Sequence, residues 1–188
     1  VTRANHASYY PGATNIVLKM NFGEDGTIYG AQALGQEGVD KRIDVIATAI
    51  KGNLTIYDLQ EIEVAYAPPY NSAKDPVNIL GYVAENMLND DVRFINYNQL
   101  DAYLSTENAV LIDVRSKKEF ESGAIPNAIN MDVDSLRDNL NFFDKNKKYV
   151  IYCQIGLRGY LAQRILRNNG IYSVNLNGGY GLWKPVNS

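Results

Sequence analysis

Tyr149-Val150-Ile151-Tyr152 is an unbroken apolar run that leads directly into Cys153, the only cysteine of the chain. Such a run reads as a strand with apolar residues on both faces, and strands of this kind belong to sheets covered by helices. The surrounding pattern agrees. A helix is expected over residues 160–169, with Leu161, Ala162, Ile165 and Leu166 on one side, and Ser173-Val174-Asn175-Leu176 returns as the next strand. Upstream, Val110-Leu111-Ile112 runs into Asp113-Val114-Arg115, and a short helical patch surrounds Glu119-Phe120. Ala128 to Met131 then suggests a strand, and Leu136 with Leu140 a helix. Strands alternating with helices imply a parallel α/β sheet, whose ligands bind beyond the C-terminal strand ends.

The first 90 residues have another rhythm, so the expected organisation is an α+β domain over 1–90 and an α/β domain over 91–188. Ile16, Leu18, Met20 and Phe22 alternate along one face of a strand, Gly23-Glu24-Asp25-Gly26 supplies a turn, and Thr27 to Ala31 returns antiparallel. Val39, Ile43, Ile46 and Ile50 recur at helical spacing, with Gly52 as the closing residue. Tyr66-Ala67-Pro68-Pro69-Tyr70 cannot be helical. Asp75-Pro76 pairs an N-cap residue with proline at the first helical position, opening a helix through Leu80, Val83, Ala84 and Leu88.

Composition narrows the function classes. Residues 1–90 carry 6 Lys/Arg against 11 Asp/Glu, and residues 91–188 carry 12 against 10. No basic stripe points to nucleic acid or a membrane surface, and no apolar run approaches the ~20 residues of a membrane span. A single cysteine excludes an internal disulfide and a multi-cysteine zinc cage, and it fits a reduced, cytoplasmic setting. His6 has no paired ligand in sequence, so a surface or interface position is expected for it and no metal site is expected. The chain opens on Val1 rather than Met, as a fragment or processed product would.

The segment Cys153-Gln154-Ile155-Gly156-Leu157-Arg158 is the candidate reactive loop. Backbone N–H groups of a tight loop feeding a helix N-terminus converge on one point, and the helix dipole adds positive potential there. A thiol at that point is expected to have a lowered pKa and to react as thiolate. Gly156 permits a positive φ, and Arg158 can supply charge or brace the loop. Four residues separate Cys153 from Arg158, a smaller cradle than the five of cysteine phosphatases. That size suits one terminal sulfur better than a tetrahedral phosphate. Phosphatase or arsenate reductase chemistry remains the alternative within enzymes, and a buried, inert cysteine is the alternative outside them.

Leu111 to Arg115, Glu119-Phe120 and Gly123 to Asn130 resemble the N-terminal signature of rhodanese domains. Cys153 to Arg158 resembles their active loop, and Gly178-Gly179 with Trp183 their closing motif. The resemblance implies sulfur transfer through a persulfide on Cys153, with Asp113, Arg115 and Glu119 as structural support. Two positions depart from the pattern: Ala124 stands where His is usual, and Asn127 where Gly is frequent.

Residues 1–88 resemble the dimerisation domain of pyridine nucleotide-disulfide oxidoreductases, nearest the coenzyme A disulfide reductase and NADH oxidase group. The residues concerned are Gly30-Ala31-Gln32, Gly38 to Asp44, Tyr66 to Tyr70 and Ala73 to Asn78. This implies a homodimer formed through residues 1–90, with Tyr70 and, less closely, Tyr10 facing a partner's redox site. Lys41, Arg42 and Asp44 are expected on a solvated or interface face of their helix. No Gly-x-Gly-x-x-Gly follows any strand, so no cofactor is expected in this segment, while FAD, NAD(P)H and coenzyme A are expected for a full-length protein. Persulfide, polysulfide or CoA-type thiols are the implied substrates. A dimerisation and docking module with an inert rhodanese-like domain is the competing reading.

Overall fold

In the computed structural model, which describes residues 1–187, the alternating segment is the middle strand of a small antiparallel sheet. It is built from β1 (Thr2–Ala4), β2 (Asn15–Phe22) and β3 (Ile28–Leu34), in that order. Ile16 and Leu18 are fully buried, and Met20 and Phe22 pack partly buried on the same core. Gly26, at φ +84°, donates to the Gly23 carbonyl and closes the turn. β1 was not expected from sequence, because three residues are too few to display an alternation.

Helices α1 (Val39–Lys51), α2 (Ile56–Glu61) and α3 (Pro76–Leu88) supply the rest of that core through Ile46, Ile56, Leu59, Val77 and Leu80. Asp75 caps α3 as its sequence requires: its carboxylate accepts from the Val77 N–H at 2.8 Å, and Pro76 takes the first position. Gly52 closes α1 at φ −80°, so the left-handed residue is the next one, Asn53, at φ 55°. α2 was missed, although Thr55-x-x-Asp58 is a cap signal: the Asp58 carboxylate accepts from the Thr55 N–H and hydroxyl, each at 2.7 Å.

Arg42 corrects an expectation. It is 2% exposed rather than solvated, because its guanidinium lies against Asp75 at 2.9 Å and donates further to the Asn5 and Gly38 carbonyls and to Asn71 Oδ1. A buried guanidinium is tolerated when acceptors surround it in this way. His6 is likewise buried, not superficial, with Nδ1 at 3.1 Å from the Ala7 carbonyl oxygen.

The chain divides into two units between Asp90 and Asp91. The second is a five-stranded, wholly parallel sheet in the order β4-β8-β7-β5-β6, from β4 (Phe94–Ile95), β5 (Val110–Asp113), β6 (Ile129–Asn130), β7 (Tyr149–Tyr152) and β8 (Ser173–Leu176). Every residue of β7 is buried. Tyr149 and Ile151 face one core with Leu136, Ala162 and Leu166, while Val150 and Tyr152 face another with Ile95, Leu100 and Val174. Each such side chain contributes roughly 1.5–3 kcal/mol by leaving water. The two tyrosine hydroxyls are not stranded, since they accept from the Asp144 and Ile125 N–H groups.

Helices α4 (Leu100–Thr106), α5 (Lys117–Glu121), α6 (Leu157–Asn168) and α7 (Gly179–Val186) complete the unit. The helix expected from Leu136 and Leu140 is a 3₁₀ segment, Leu136–Phe142, interrupted at Asn139. Asn127 has φ 63°, so the residue standing where the family often has glycine is the non-glycine type best suited to that backbone. Among the described residues no helix is long and apolar enough to cross a membrane.

Candidate functional site

β7 ends at Tyr152 and α6 begins at Leu157, so Cys153 to Gly156 form a four-residue turn between a buried strand and a helix. The helix starts earlier than the apolar pattern suggests. Gly156, at φ +113°, reverses the chain, and its carbonyl accepts from the Tyr160 N–H at 2.9 Å to close the first turn. Leu157 and Arg158 therefore sit in that turn of α6, not in a loop.

The Gly156 N–H donates to Cys153 Sγ at 3.1 Å. Cys153 itself is 1% exposed and belongs to the core cluster that includes Ile151 and Ala162. Ile155 and Leu157 point the other way, at 39% and 50% exposure.

The turn is held from outside by its carbonyls. Cys153 C=O accepts from the Tyr180 N–H at 2.8 Å, and Gln154 C=O from the Gly181 N–H at 2.9 Å, both at the start of α7. Gly156 C=O accepts additionally from Asn175 Nδ2 at 3.0 Å. In a planar trans peptide the N–H points opposite to the C=O, so anchoring these carbonyls outward turns the N–H groups of Gln154, Ile155 and Leu157 to the inner side. Gly179 is obligatory for the clamp. It has φ +58°, and a Cβ there would lie 2.2 Å from the Cys153 carbonyl oxygen. Of the Gly178-Gly179 pair, Gly179 thus lies against the backbone of Cys153, while Gly178 faces Leu182.

Two ion pairs flank the turn. Arg158 forms a two-pronged pair with Glu119, both contacts at 2.7 Å. Glu119 caps α5 as well, accepting from the Ser116 N–H at 3.0 Å. Arg115 pairs with Asp113 at 2.7 Å inside the unit, donates to the Gly123 carbonyl and touches Gln154 Oε1 at 3.3 Å. The Tyr180 ring lies under its guanidinium, 4.2 Å from the centroid. The residues named from sequence at this end of the sheet are therefore brought together. Asn175, Tyr180, Gly181 and Asn130, whose Nδ2 holds the Asp113 and Arg115 carbonyls, were not expected as site residues. Only long-range packing reveals them.

The hydrogen bond from Arg158, with help from Ser116, pulls the Glu119 carboxyl from its ordinary 4.5 down to about 2. A depressed carboxylate contributes stability that is complete above pH 4.5 and lost as pH falls towards about 2. Glu119→Gln is therefore expected to flatten the acid limb of the second unit's stability curve across that window. Urea unfolding followed by Trp183, the one tryptophan, checks this. Parallel curves for the two proteins would show that the pair adds nothing.

Tyr10 and Tyr70 lie in the first unit. Tyr70 is 70% exposed and lines a cavity of about 300 Å³ with His6, Lys41 and Glu37. Tyr10 is partly exposed and meets the His6 ring edge-on at 5.9 Å.

The rhodanese-like domain profile matches residues 96–185. Coenzyme A disulfide reductase of Staphylococcus haemolyticus is 51% identical over 83 residues, which is 44% of this chain and 19% of that protein. The solved structure of reduced Bacillus anthracis CoADR-RHD is 46% identical with a TM-score of 0.95, over 99% of this chain and 33% of that one. A NAD-dependent persulfide reductase from A. fulgidus is 37% identical with a TM-score of 0.87, over 97% of this chain and 32% of that one. The chain spans about a fifth of the length of the curated relatives it matches and about a third of these solved chains.

Proposed function

We propose, because the second unit matches the rhodanese-like domain profile over residues 96–185, that Cys153 accepts sulfur from a persulfide and passes it to another thiol. The observation that carries this reading is the Gly156 N–H on Sγ, in a turn whose carbonyls are held outward. Packing alone would not require either.

The Cys153 thiolate attacks the outer sulfur of a donor RS–SH. The Sγ–S bond forms as the RS–S bond breaks, the bonding pair leaves with the inner sulfur as RS⁻, and the outer sulfur keeps its proton. Cys153–S–SH results, with no net oxidation. An acceptor thiolate then attacks that outer sulfur and releases Cys153 as thiolate. Amide hydrogens fixed around the sulfur favour the anion at each stage. No second cysteine exists in the chain, so the acceptor comes from elsewhere.

Charge selects the donor. Arg158 is committed to Glu119 and Arg115 to Asp113. Each already faces a carboxylate, and Gln154 to Leu157 add no cation to the turn, so a persulfide or polysulfide is favoured over thiosulfate.

The relatives extend the proposal to a longer, cytoplasmic flavoprotein. Its NAD(P)H- and FAD-dependent half would regenerate the acceptor, a CoA-type thiol, and the first unit would make a homodimer that presents Tyr10 and Tyr70 to the partner's redox site. The residues of this chain do not fit either dinucleotide. β5 and β7 lead into Asp113-Val114-Arg115 and the cysteine turn, not into a glycine-rich phosphate cradle. The flavin chemistry would reside outside this segment.

The burial of Cys153 favours one competing reading, an inert core cysteine in a docking module. Intact-mass spectrometry after incubation with an alkyl persulfide separates them. One added sulfur atom, mapped to Cys153 and removed by cyanide, is expected. An unchanged mass would leave only the packing role.

A further inference from the structure

Asn175 lies in β8, beside the central strand, with no exposure at all. Asparagine is disfavoured in strands, and here it is also incompletely bonded: Nδ2 donates to the Gly156 carbonyl at 3.0 Å, while Oδ1 has no partner among the described residues. The partner fixes the amide's orientation, because the flipped form would set two acceptors against each other. Gly159, in the first turn of α6, is the second locally unfavourable choice. Alanine would be the better helix former, and no positive φ demands glycine at 159. A Cβ at 159 would lie 2.2 Å from Asn175 Oδ1 and 3.0 Å from its Cγ. Each residue is unfavourable alone, and together they make one device, a buried amide and the space to seat it.

The device acts on the residue whose N–H reaches the sulfur. Gly156 has wide freedom in φ and ψ, and nothing within 4 Å of a built Cβ confines it sterically. Its carbonyl is held by Tyr160 within the helix and by Asn175 from the sheet. We propose that Asn175 is a positioning residue for Cys153: by holding the Gly156 carbonyl towards β8 it fixes the Gly156–Leu157 peptide plane, and with it the Leu157 N–H on the inner side of the turn, and Gly159 is small so that the amide can lie there. The functional consequence rests on the sulfur-carrier reading above, but the geometry and its test do not.

The test is the rate of Cys153 alkylation by iodoacetamide across pH in the intact chain, for the unsubstituted protein, Asn175→Leu and Gly159→Ala. Losing the aligned donor is expected to lower the rate at neutral pH about tenfold and to raise the pH of half-maximal rate by about one unit. Gly159→Ala should do the same by displacing the amide, even though its helix is intrinsically stronger. Trp183 fluorescence establishes that each variant is folded; should Asn175→Leu fail to fold, Gly159→Ala decides. Unmoved profiles in folded variants would overturn the proposal, and so would failure of both to fold, which would make the amide a requirement of the sheet alone. Persulfide loading of the unsubstituted chain, run in parallel, keeps the two readings apart. A shifted profile without loading would sink the sulfur carrier and keep Asn175, and loading with unmoved profiles would do the reverse.

Discussion

Cys153→Ser is expected to gain no sulfur from an alkyl persulfide under conditions that load the unsubstituted chain completely. Serine changes one atom and keeps an acceptor for the Gly156 N–H, which lies 3.1 Å from Sγ. The hydroxyl is not appreciably ionised near neutral pH, so the nucleophile vanishes while the turn remains. The change buries a hydroxyl in place of a thiol beside Ile151 and Ala162, at a cost of about 1–3 kcal/mol if it is poorly satisfied. A single domain of ordinary stability, about 5–15 kcal/mol, survives that. The informative comparison is therefore loading against unfolding. A total loss of loading with a modest shift in the Trp183 transition marks a chemical role. A large stability loss, with no loading even in the unsubstituted chain, marks a packing role. Residual loading of the serine variant would mean that sulfur attaches elsewhere.

The second large effect concerns the first unit. Arg42→Ala should destabilise it by about 3–5 kcal/mol, since Asp75 would remain charged and buried without its partner. The pair is 2.9 Å apart, with the Arg42 and Asp75 side chains 2% and 1% exposed, so solvent screening offers little relief. The Asn5 and Asn71 oxygens would lose a donor at the same time. Arg42→Met combined with Asp75→Asn should recover most of the loss, because no charge is left uncompensated and asparagine still caps α3. Circular dichroism on urea unfolding reads the effect, and Trp183 fluorescence, which reports the second unit, should barely move. A loss below about 1 kcal/mol would mean that the pair behaves as a surface one.

Strong local patterns were legible in the sequence. β2, α1, α3, β5, β7 and β8 each declare themselves by alternation, helical spacing or a cap, and Asp75-Pro76 even fixes the first residue of its helix. β4, with two residues, is too short to carry a period, so pairing alone defines it, whereas β6 lies within the strand expected over Ala128 to Met131. The early start of α6 follows from the backbone at Gly156, which apolar spacing cannot register. Arg42 was misplaced because a charged side chain in a helix pattern reads as solvated until three of its acceptor residues, 29 to 37 residues away in sequence, are brought to it. At the site, the cysteine turn and the flanking ions are contiguous motifs and could be named. Asn175 and the α7 amides act through contacts between distant segments, and single-residue chemistry gives no hint of them.

The outward hold on the Cys153 and Gln154 carbonyls comes from the amides that open α7. The electrical character of the cysteine's surroundings is thus on loan from a helix more than twenty residues downstream. Unlatching that helix, by trimming, a bulky fusion or a ligand that captures its amides, would let two peptide planes swing round. A nest of positive ends would become a nest of negative ones without any change of charge.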